Sequence, residues 1–281
     1  MDKLIAWMNG VYLPLDELKL GYHDLGLLRG YAVFDFMRTK NHVPVFLEDY
    51  LHRFRASAEA LRLEIPISDA GLRNVVQKLV SLQPQDEMGI RFLLTGGYSD
   101  DAYTVQSPNF MITPVQIKPV PNTLPNPVKI ITYQYERQLP EVKSIHYTMG
   151  ILLQEQVKAA GAFDVLYYSE QGITEFPRSN IFIVTKQGEL CTPAHAVLKG
   201  VTRKRVIQLA GELLPVQEKN ISLQELYDAA EIFITSTTKK IIPVTQVNDH
   251  IIGAGKPGPV ALQLFTLLSA AEEDYVQQFR W

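Results

Sequence analysis

Apolar positions in the first part of the chain follow two rhythms. Up to about residue 46, short apolar runs are cut by polar turns, as in "AWMNGVYLP" and "YAVFDFMRTKNHVPVF", where "KNHVP" punctuates an expected hairpin. The period then lengthens. In "LEDYLHRFRASAEALRL", Tyr50, Leu51, Phe54, Ala58 and Leu61 recur at spacings of three and four, which predicts a helix burying one face while His52, Arg53 and Glu59 fall elsewhere. "DAGLRNVVQKLVSLQ" predicts a second helix, capped by Ser68 or Asp69. "GIRFLLTGG" and "SPNFMITPVQI" read as strands that close a first α+β unit.

Residues 118–127, "KPVPNTLPNP", hold four prolines in ten positions, a composition suited to an extended connector. The expected organisation is a smaller α+β domain over 1–118, a proline-rich linker over 119–127 and a larger domain over 128–281. In that second part "VKIITY", "FDVLYYS", "NIFIVT" and "AEIFITST" have the β-branched and aromatic content of strands. Helices expected at 147–160, 202–213 and about 257–273 alternate with them, so the second domain reads as α/β. No internal repeat or low-complexity segment interrupts the pattern.

Composition narrows the function by exclusion. The 281 residues are 46% apolar and 20% charged, ordinary globular values, and 27 Lys plus Arg against 30 Asp plus Glu give a net charge of −3. No block of like charge suggests a nucleic-acid or membrane surface, which leaves small-molecule chemistry. The opening "MDKLIAWMNG" lacks the pattern of a signal peptide, and no run approaches the roughly 18 apolar residues of a membrane span. A cytoplasmic protein is expected. The lone Cys191 leaves no internal disulfide and no thiolate metal cluster; no metal site is expected.

Five stretches carry candidate chemistry in chain order: "LPEVKSIHYTMG", "ITEFPRSNIFIV", "TPAHAVLKGVTRKRVIQLAG", "ELYDAAEIFITSTTKKIIPV" and "GPVALQLF". A helix opening at "GVTRKR" exposes free N–H groups and a partial positive charge, which favour a phosphate. Thr202, Thr237 and Thr238 add neutral donors there, and Arg53 a forked cation suited to phosphate oxygens. Neither G-x-x-x-x-G-K-[ST] nor G-x-G-x-x-G occurs, which argues against a nucleotide as the phosphate ligand.

Taken together, these motifs, with "DLGLLRGYAVFDF", "EDYLHRFRASAEAL" and "PVTQVNDHIIGAGKPGPV", make the chain resemble the class IV aminotransferases over nearly its whole length. These are pyridoxal-phosphate enzymes of fold type IV, including D-amino-acid and branched-chain aminotransferases and 4-amino-4-deoxychorismate lyases. The resemblance implies a D-amino-acid aminotransferase-like fold, a pyridoxal 5'-phosphate cofactor and a homodimer. It makes Lys143 the Schiff-base lysine, an amine that also moves the proton of the substrate α-carbon. It makes Glu175 the carboxylate beside the pyridine nitrogen. It gives Arg53, Val201, Thr202 and Thr238 to the phosphate, Leu198 to the ring face and Tyr147 to the cofactor's phenolic oxygen, while Thr237 replaces a glycine common in the branched-chain enzymes.

Where the sequence departs from the family pattern, the substrate is at issue. His146 stands where asparagine is frequent, and Asp35 where glutamate is. "TSTT" is similar to the D-amino-acid enzymes, whereas the R-x-H carboxylate trap of those enzymes is replaced by "TGGYS", as in the lyases. An amino-acid substrate needs a cation for its carboxylate, since an unpaired charge in a closed site is costly. Arg29, Arg91 and Arg178 are the candidates, with Phe34 as an apolar wall. Two such arginines suit a diacid such as glutamate. The expected activity is therefore transfer of an amino group between an amino acid, D-glutamate or D-alanine, and 2-oxoglutarate or pyruvate. The alternatives are the lyase, a branched-chain L-amino-acid aminotransferase, and a relative that binds the cofactor without turnover.

Overall fold

The computed structural model describes residues 3–279. Its chain divides into two compact units. One holds the residues up to Pro119, the short segment Val142–His146 and the chain from Glu272 onward; the other holds Val120–Glu141 and Tyr147–Ala271. The sequence pattern assigned everything beyond 127 to a single second domain, because nothing local in "EVKSIHY" says that it pairs with a strand more than a hundred residues earlier. Met1, Asp2, Arg280 and Trp281, the ends of the two expected domains, lie outside the described residues.

In the first unit the elements run β1 (Ile5–Met8), β2 (Val11–Pro14), α1 (Leu25–Arg29), β3 (Ala32–Lys40), β4 (Val43–Pro44), α2 (Leu47–Ala60), α3 (Asp69–Ser81), β5 (Gly89–Tyr98) and β6 (Ser107–Val115). The six strands form one antiparallel sheet in the order β2-β1-β6-β5-β3-β4. Two tight hairpins rest on pairs of positive-φ residues, Asn9 with Gly10 and Asn41 with His42, as the twist of two-residue connections demands. The long helical period has its reason in packing: Phe54 of α2 stacks on Phe110 of β6 at 5.4 Å and meets Phe92 of β5 edge-on at 5.2 Å. All three rings are fully buried, each contributing about 2 kcal/mol of apolar burial. Ser68 caps α3 through Gly71 N–H, while Asp69 is its first residue.

In the second unit follow β7 (Val128–Gln134), α4 (Thr148–Leu152), α5 (Gln154–Ala159), β8 (Val165–Ser169), β9 (Gly172–Ile173), β10 (Asn180–Val184), β11 (Leu190–Pro193), α6 (Val201–Ala210), β12 (Val216–Lys219), α7 (Leu223–Asp228), β13 (Glu231–Ser236), β14 (Lys240–Val247), β15 (His250–Ile251) and α8 (Pro259–Gln278). The last turns of α8 belong to the first unit. Nine strands make a mixed sheet in the order β12-β11-β10-β13-β14-β7-β8-β9, with β15 beside β14. The helix expected over 147–160 is two short ones, because Leu153 has ψ near −3° and loosens the turn, although Val157 N–H still reaches its carbonyl at 3.0 Å. A core of aliphatic side chains from β10, β13 and β14, with Phe176 and Ile221, fills this unit. Among the described residues no helix is long and apolar enough to cross a membrane, and no cluster of three metal-ligating side chains occurs.

Candidate active site

Lys143 sits on an improvised strand. The segment Val142–His146 lies antiparallel to the start of β3: Ser144 bridges Val33, Phe34 N–H donates to the Lys143 carbonyl at 2.9 Å, and Ile145 N–H donates to Ala32 O at 3.3 Å. On the other side, Lys143 N–H donates to Ser57 Oγ of α2 at 3.1 Å. A buried main chain must find such partners, and here it finds them in a strand and a helix at once. The side chain then runs over β3, with Nζ 4.6 Å from the centre of the Phe34 ring.

Alternation along β3 sends Phe34 and Phe36 to one face of the sheet and Asp35 to the other. Asp35 is fully buried, a costly position for a carboxylate unless it is paired and hydrogen-bonded. Arg53 of α2 supplies the pair, with Nε 2.9 Å from one oxygen and Nη2 2.6 Å from the other, and Phe36 N–H adds a bond at 2.6 Å. The guanidinium is thereby fixed in orientation. On the opposite face, β5 sets Leu93 across from Phe34 and Arg91 across from Phe36. Arg91 is exposed and shares its sheet face with Phe34. Arg29 is exposed at the end of α1, where Nη1 bonds the Leu28 carbonyl at 3.0 Å.

The short helix α1 is held by a group that sequence reading did not single out. Asp24, fully buried at its N-cap, accepts from Gly26 N–H and Thr95 Oγ1 at 2.7 Å each and from Asn109 Nδ2 at 2.8 Å. At the other end Gly30 takes φ +65°, and its carbonyl lies 2.9 Å from His146 Nε2.

In the second unit Glu175 is the centre of a side-chain network. It is 3% exposed; Oε1 pairs with Arg137 Nη1 at 2.5 Å, while Oε2 accepts from Leu198 N–H at 3.0 Å and from Asn180 Nδ2 at 3.5 Å. Asn180 Nδ2 also donates to the Leu198 carbonyl at 2.8 Å, so one amide ties the carboxylate to the segment that carries Leu198. Arg137 and Asn180 were not among the expected residues. Arg137 stands 38 positions before its partner, with no local pattern to mark it.

Two residues past Leu198 the chain enters α6. Its N-cap is Gly200, which makes no side-chain cap bond, so the first N–H groups, those of Val201 and Thr202, receive no cap from it. A Cβ at Gly200 would stand 2.2 Å from Asn180 Oδ1; only glycine permits that approach. Arg203 anchors the same turn, bonding Thr192 Oγ1 at 3.3 Å, Pro193 O at 2.9 Å and Glu218 at 2.6 Å. Its guanidinium holds the Glu218 carboxyl below the usual carboxylate range. Thr237 and Thr238 occupy the turn between β13 and β14, both half-buried. Tyr147, also half-buried, is the N-cap residue of α4. Arg178 is exposed on the loop after Glu175, near Asp164, whose carboxyl burial pushes up.

The donor set fits pyridoxal phosphate. A primary amine over an aromatic face suits an aldehyde, and a buried carboxylate suits a basic ring nitrogen. In the second unit, a helix start without a side-chain cap, bearing the Thr202 hydroxyl, suits a phosphate. The first unit holds Lys143, Arg53, Phe34, Arg29 and Arg91; the second holds Glu175, Tyr147, Leu198, Val201, Thr202, Thr237, Thr238 and Arg178.

The family model described as Amino-transferase class IV matches residues 32–247. D-alanine aminotransferase of Bacillus licheniformis is 28% identical over 267 residues, covering 92% of this chain and 94% of that one. Among solved structures, the T.th. branched-chain amino acid aminotransferase with pyridoxamine 5'-phosphate superposes with a TM-score of 0.90 at 26% identity, covering 99% of this chain and 98% of that one. The same enzyme complexed with N-(5'-phosphopyridoxyl)-L-glutamate gives 0.88 at 26% identity, with 99% and 98% covered. With its fold of type IV and a donor set that fits the cofactor, the chain belongs to the class IV aminotransferases and is a pyridoxal-phosphate-dependent enzyme of that family.

Proposed function

We propose that the protein transfers the amino group of a D-amino acid, D-glutamate or D-alanine, to a 2-keto acid, 2-oxoglutarate or pyruvate. The observation that carries the reading is the exposed Arg91 on the same sheet face as Phe34, over whose ring the Lys143 amine lies at 4.6 Å. A forked cation on the lysine's side of the sheet suits a carboxylate of an acidic amino acid. Handedness rests on the "TSTT" turn and on the likeness to a D-alanine aminotransferase.

Pyridoxal phosphate supplies, when bound, an aldehyde carbon that takes up the amino group and a ring that withdraws electrons from the bonds of the amino acid's α-carbon. Lys143 Nζ would be the base that takes the α-proton of the amino acid and the acid that gives it back. Glu175, paired with Arg137, would be the carboxylate that holds the ring nitrogen. Val201 and Thr202 N–H groups and the hydroxyls of Thr202, Thr237 and Thr238 would hold the phosphate, and Arg53 would be its charged donor. Leu198 would pack on the ring, and Tyr147 would hold its phenolic oxygen. Arg91, with Arg29 or Arg178, orients the substrate carboxylates, and Phe34 keeps water from the reacting carbon.

A second reading, an L-specific branched-chain enzyme, is favoured by Phe34, Phe36 and Leu93, which make an apolar strip on that same face, and by the likeness to a branched-chain amino acid aminotransferase of known structure. Absorbance of the cofactor-loaded protein separates the two when D-glutamate, L-glutamate or L-leucine is added without keto acid. Loss of the visible band with D-glutamate alone is the expected result. Loss with the L forms alone overturns the proposal in favour of the second reading, and a band unmoved by any of them turns it toward a lyase. The reading carries with it a homodimer, supported by the exposed neighbours Ile151 and Leu152 of α4; light scattering of active enzyme showing only monomer would refute it.

A further inference from the structure

We infer that Ser57 is the positioning residue of the Lys143 amine, and that α2 couples the lysine to the phosphate arginine. The inference rests on the reading of Lys143 as the reacting amine. Ser57 is 2% exposed, on the buried stripe of α2, where the helical period alone calls for an apolar side chain. Its Oγ accepts the Lys143 N–H at 3.1 Å, the main-chain bond on the side away from β3. With the Lys143 carbonyl taken by Phe34 N–H at 2.9 Å, the peptide groups on both sides of the lysine Cα are fixed. A four-carbon stem amplifies any rotation of that Cα, and a misplacement of about 1 Å at a reacting atom costs on the order of a hundredfold in rate.

Arg53 lies one turn before Ser57 on α2, at the i,i+4 spacing that puts two side chains on one helix face. Arg53 is locked to Asp35, and Asp35 is next to Phe34, the residue that meets Lys143 through both its main chain and its ring. The helix therefore reaches the lysine twice, directly at Ser57 and through the Arg53–Asp35 pair and β3. A shift of α2 that accompanied phosphate binding at Arg53 would move the lysine with it, so the amine and the Arg53 guanidinium keep one register. Asp35 serves the same frame from the strand side.

Three variants, Ser57→Ala, Ser57→Thr and Lys143→Ala, test this. The first readout is the pH midpoint of the visible absorbance of the loaded enzyme without substrate, which reports the lysine's surroundings. The second is amide exchange of the peptide spanning Val142–His146 in the cofactor-free protein. Ser57→Ala is expected to speed exchange, to move the midpoint by about half a pH unit, and to lower kcat about tenfold with KM for the amino acid within about twofold. Ser57→Thr, which keeps the hydroxyl, restores all three toward the parent. If Ser57→Ala lowers only the melting temperature and leaves midpoint and kcat unmoved, the serine merely fills the core and the proposal falls. Turnover surviving in Lys143→Ala would instead overturn the reading of the lysine itself, whatever Ser57 does.

Discussion

The two units carry their parts of the chemistry by different means. In the first, Lys143 is held by main-chain bonds to β3 and by one serine that also meets its main chain. In the second, Glu175 is held through side chains and the Leu198 peptide: Arg137 on one oxygen, Asn180 and Leu198 N–H on the other. A backbone anchorage lets a residue be replaced without disturbing its surroundings. A side-chain network does not, because each member satisfies another's buried charge or lone pair. Function and stability should therefore separate in the first unit and travel together in the second.

Replacing Lys143 by alanine gives the largest effect on turnover, a loss of at least about a thousandfold, the scale of a missing acid–base group. Its main-chain bonds to β3 and Ser57 survive the change, so the urea midpoint should fall less than it does on loss of a buried ion pair. A large destabilisation would show that the lysine is part of the core and would break the contrast. Next comes Arg137→Ala. It takes the guanidinium away from Oε1 of a buried carboxylate, and breaking a buried ion pair in this way costs about 3 kcal/mol or more. The urea midpoint should fall with the variant's activity; a midpoint like the parent's would mean the network is not structural. Smallest is Glu218→Gln. Its carboxyl is held below the ordinary range by Arg203, so the pair's contribution is present above the ordinary carboxylate pKa of about 4.3 and is lost as pH falls through the depressed folded value. The side chain is 43% exposed, so solvent screening limits the cost to about 1 kcal/mol at pH 7. Melting curves of parent and variant should converge as pH falls below the depressed folded value; a gap that persists there would trace the loss to the geometry of the α6 turn instead of to charge.

Much of this was readable from residues alone, for identifiable reasons. The helices α2 and α3 follow from one-sided apolar periodicity, and the hairpin at Asn41 and His42 from turn chemistry, both local properties. The family was legible from the order of motifs along the chain. What stayed hidden is non-local or brief. Arg137, in "QYERQLP", has no pattern of its own; only the fold brings it to Glu175. The pairing of residues 142–146 with β3 spans about two fifths of the sequence, beyond the reach of any periodicity. The helix α1 has five residues, too few for a rhythm, and is marked only by Asp24 at its cap. Ser57 did leave a trace: a serine on the buried stripe of α2, one turn from Arg53, is a polar group in need of a partner.

The excursion of residues 142–146 into the first unit also bears on how the chain is made. A nascent chain that has emerged only as far as Pro119 has built every strand of the six-stranded sheet. It still lacks the segment that covers β3 at Ala32–Phe34, which leaves open hydrogen-bonding groups able to recruit a foreign strand. Closure waits for about 25 more residues to leave the ribosome, about one to five seconds at ordinary synthesis rates. A gene cut at the proline-rich stretch would make that waiting state permanent, and the shortened product should self-associate through the same uncovered edge.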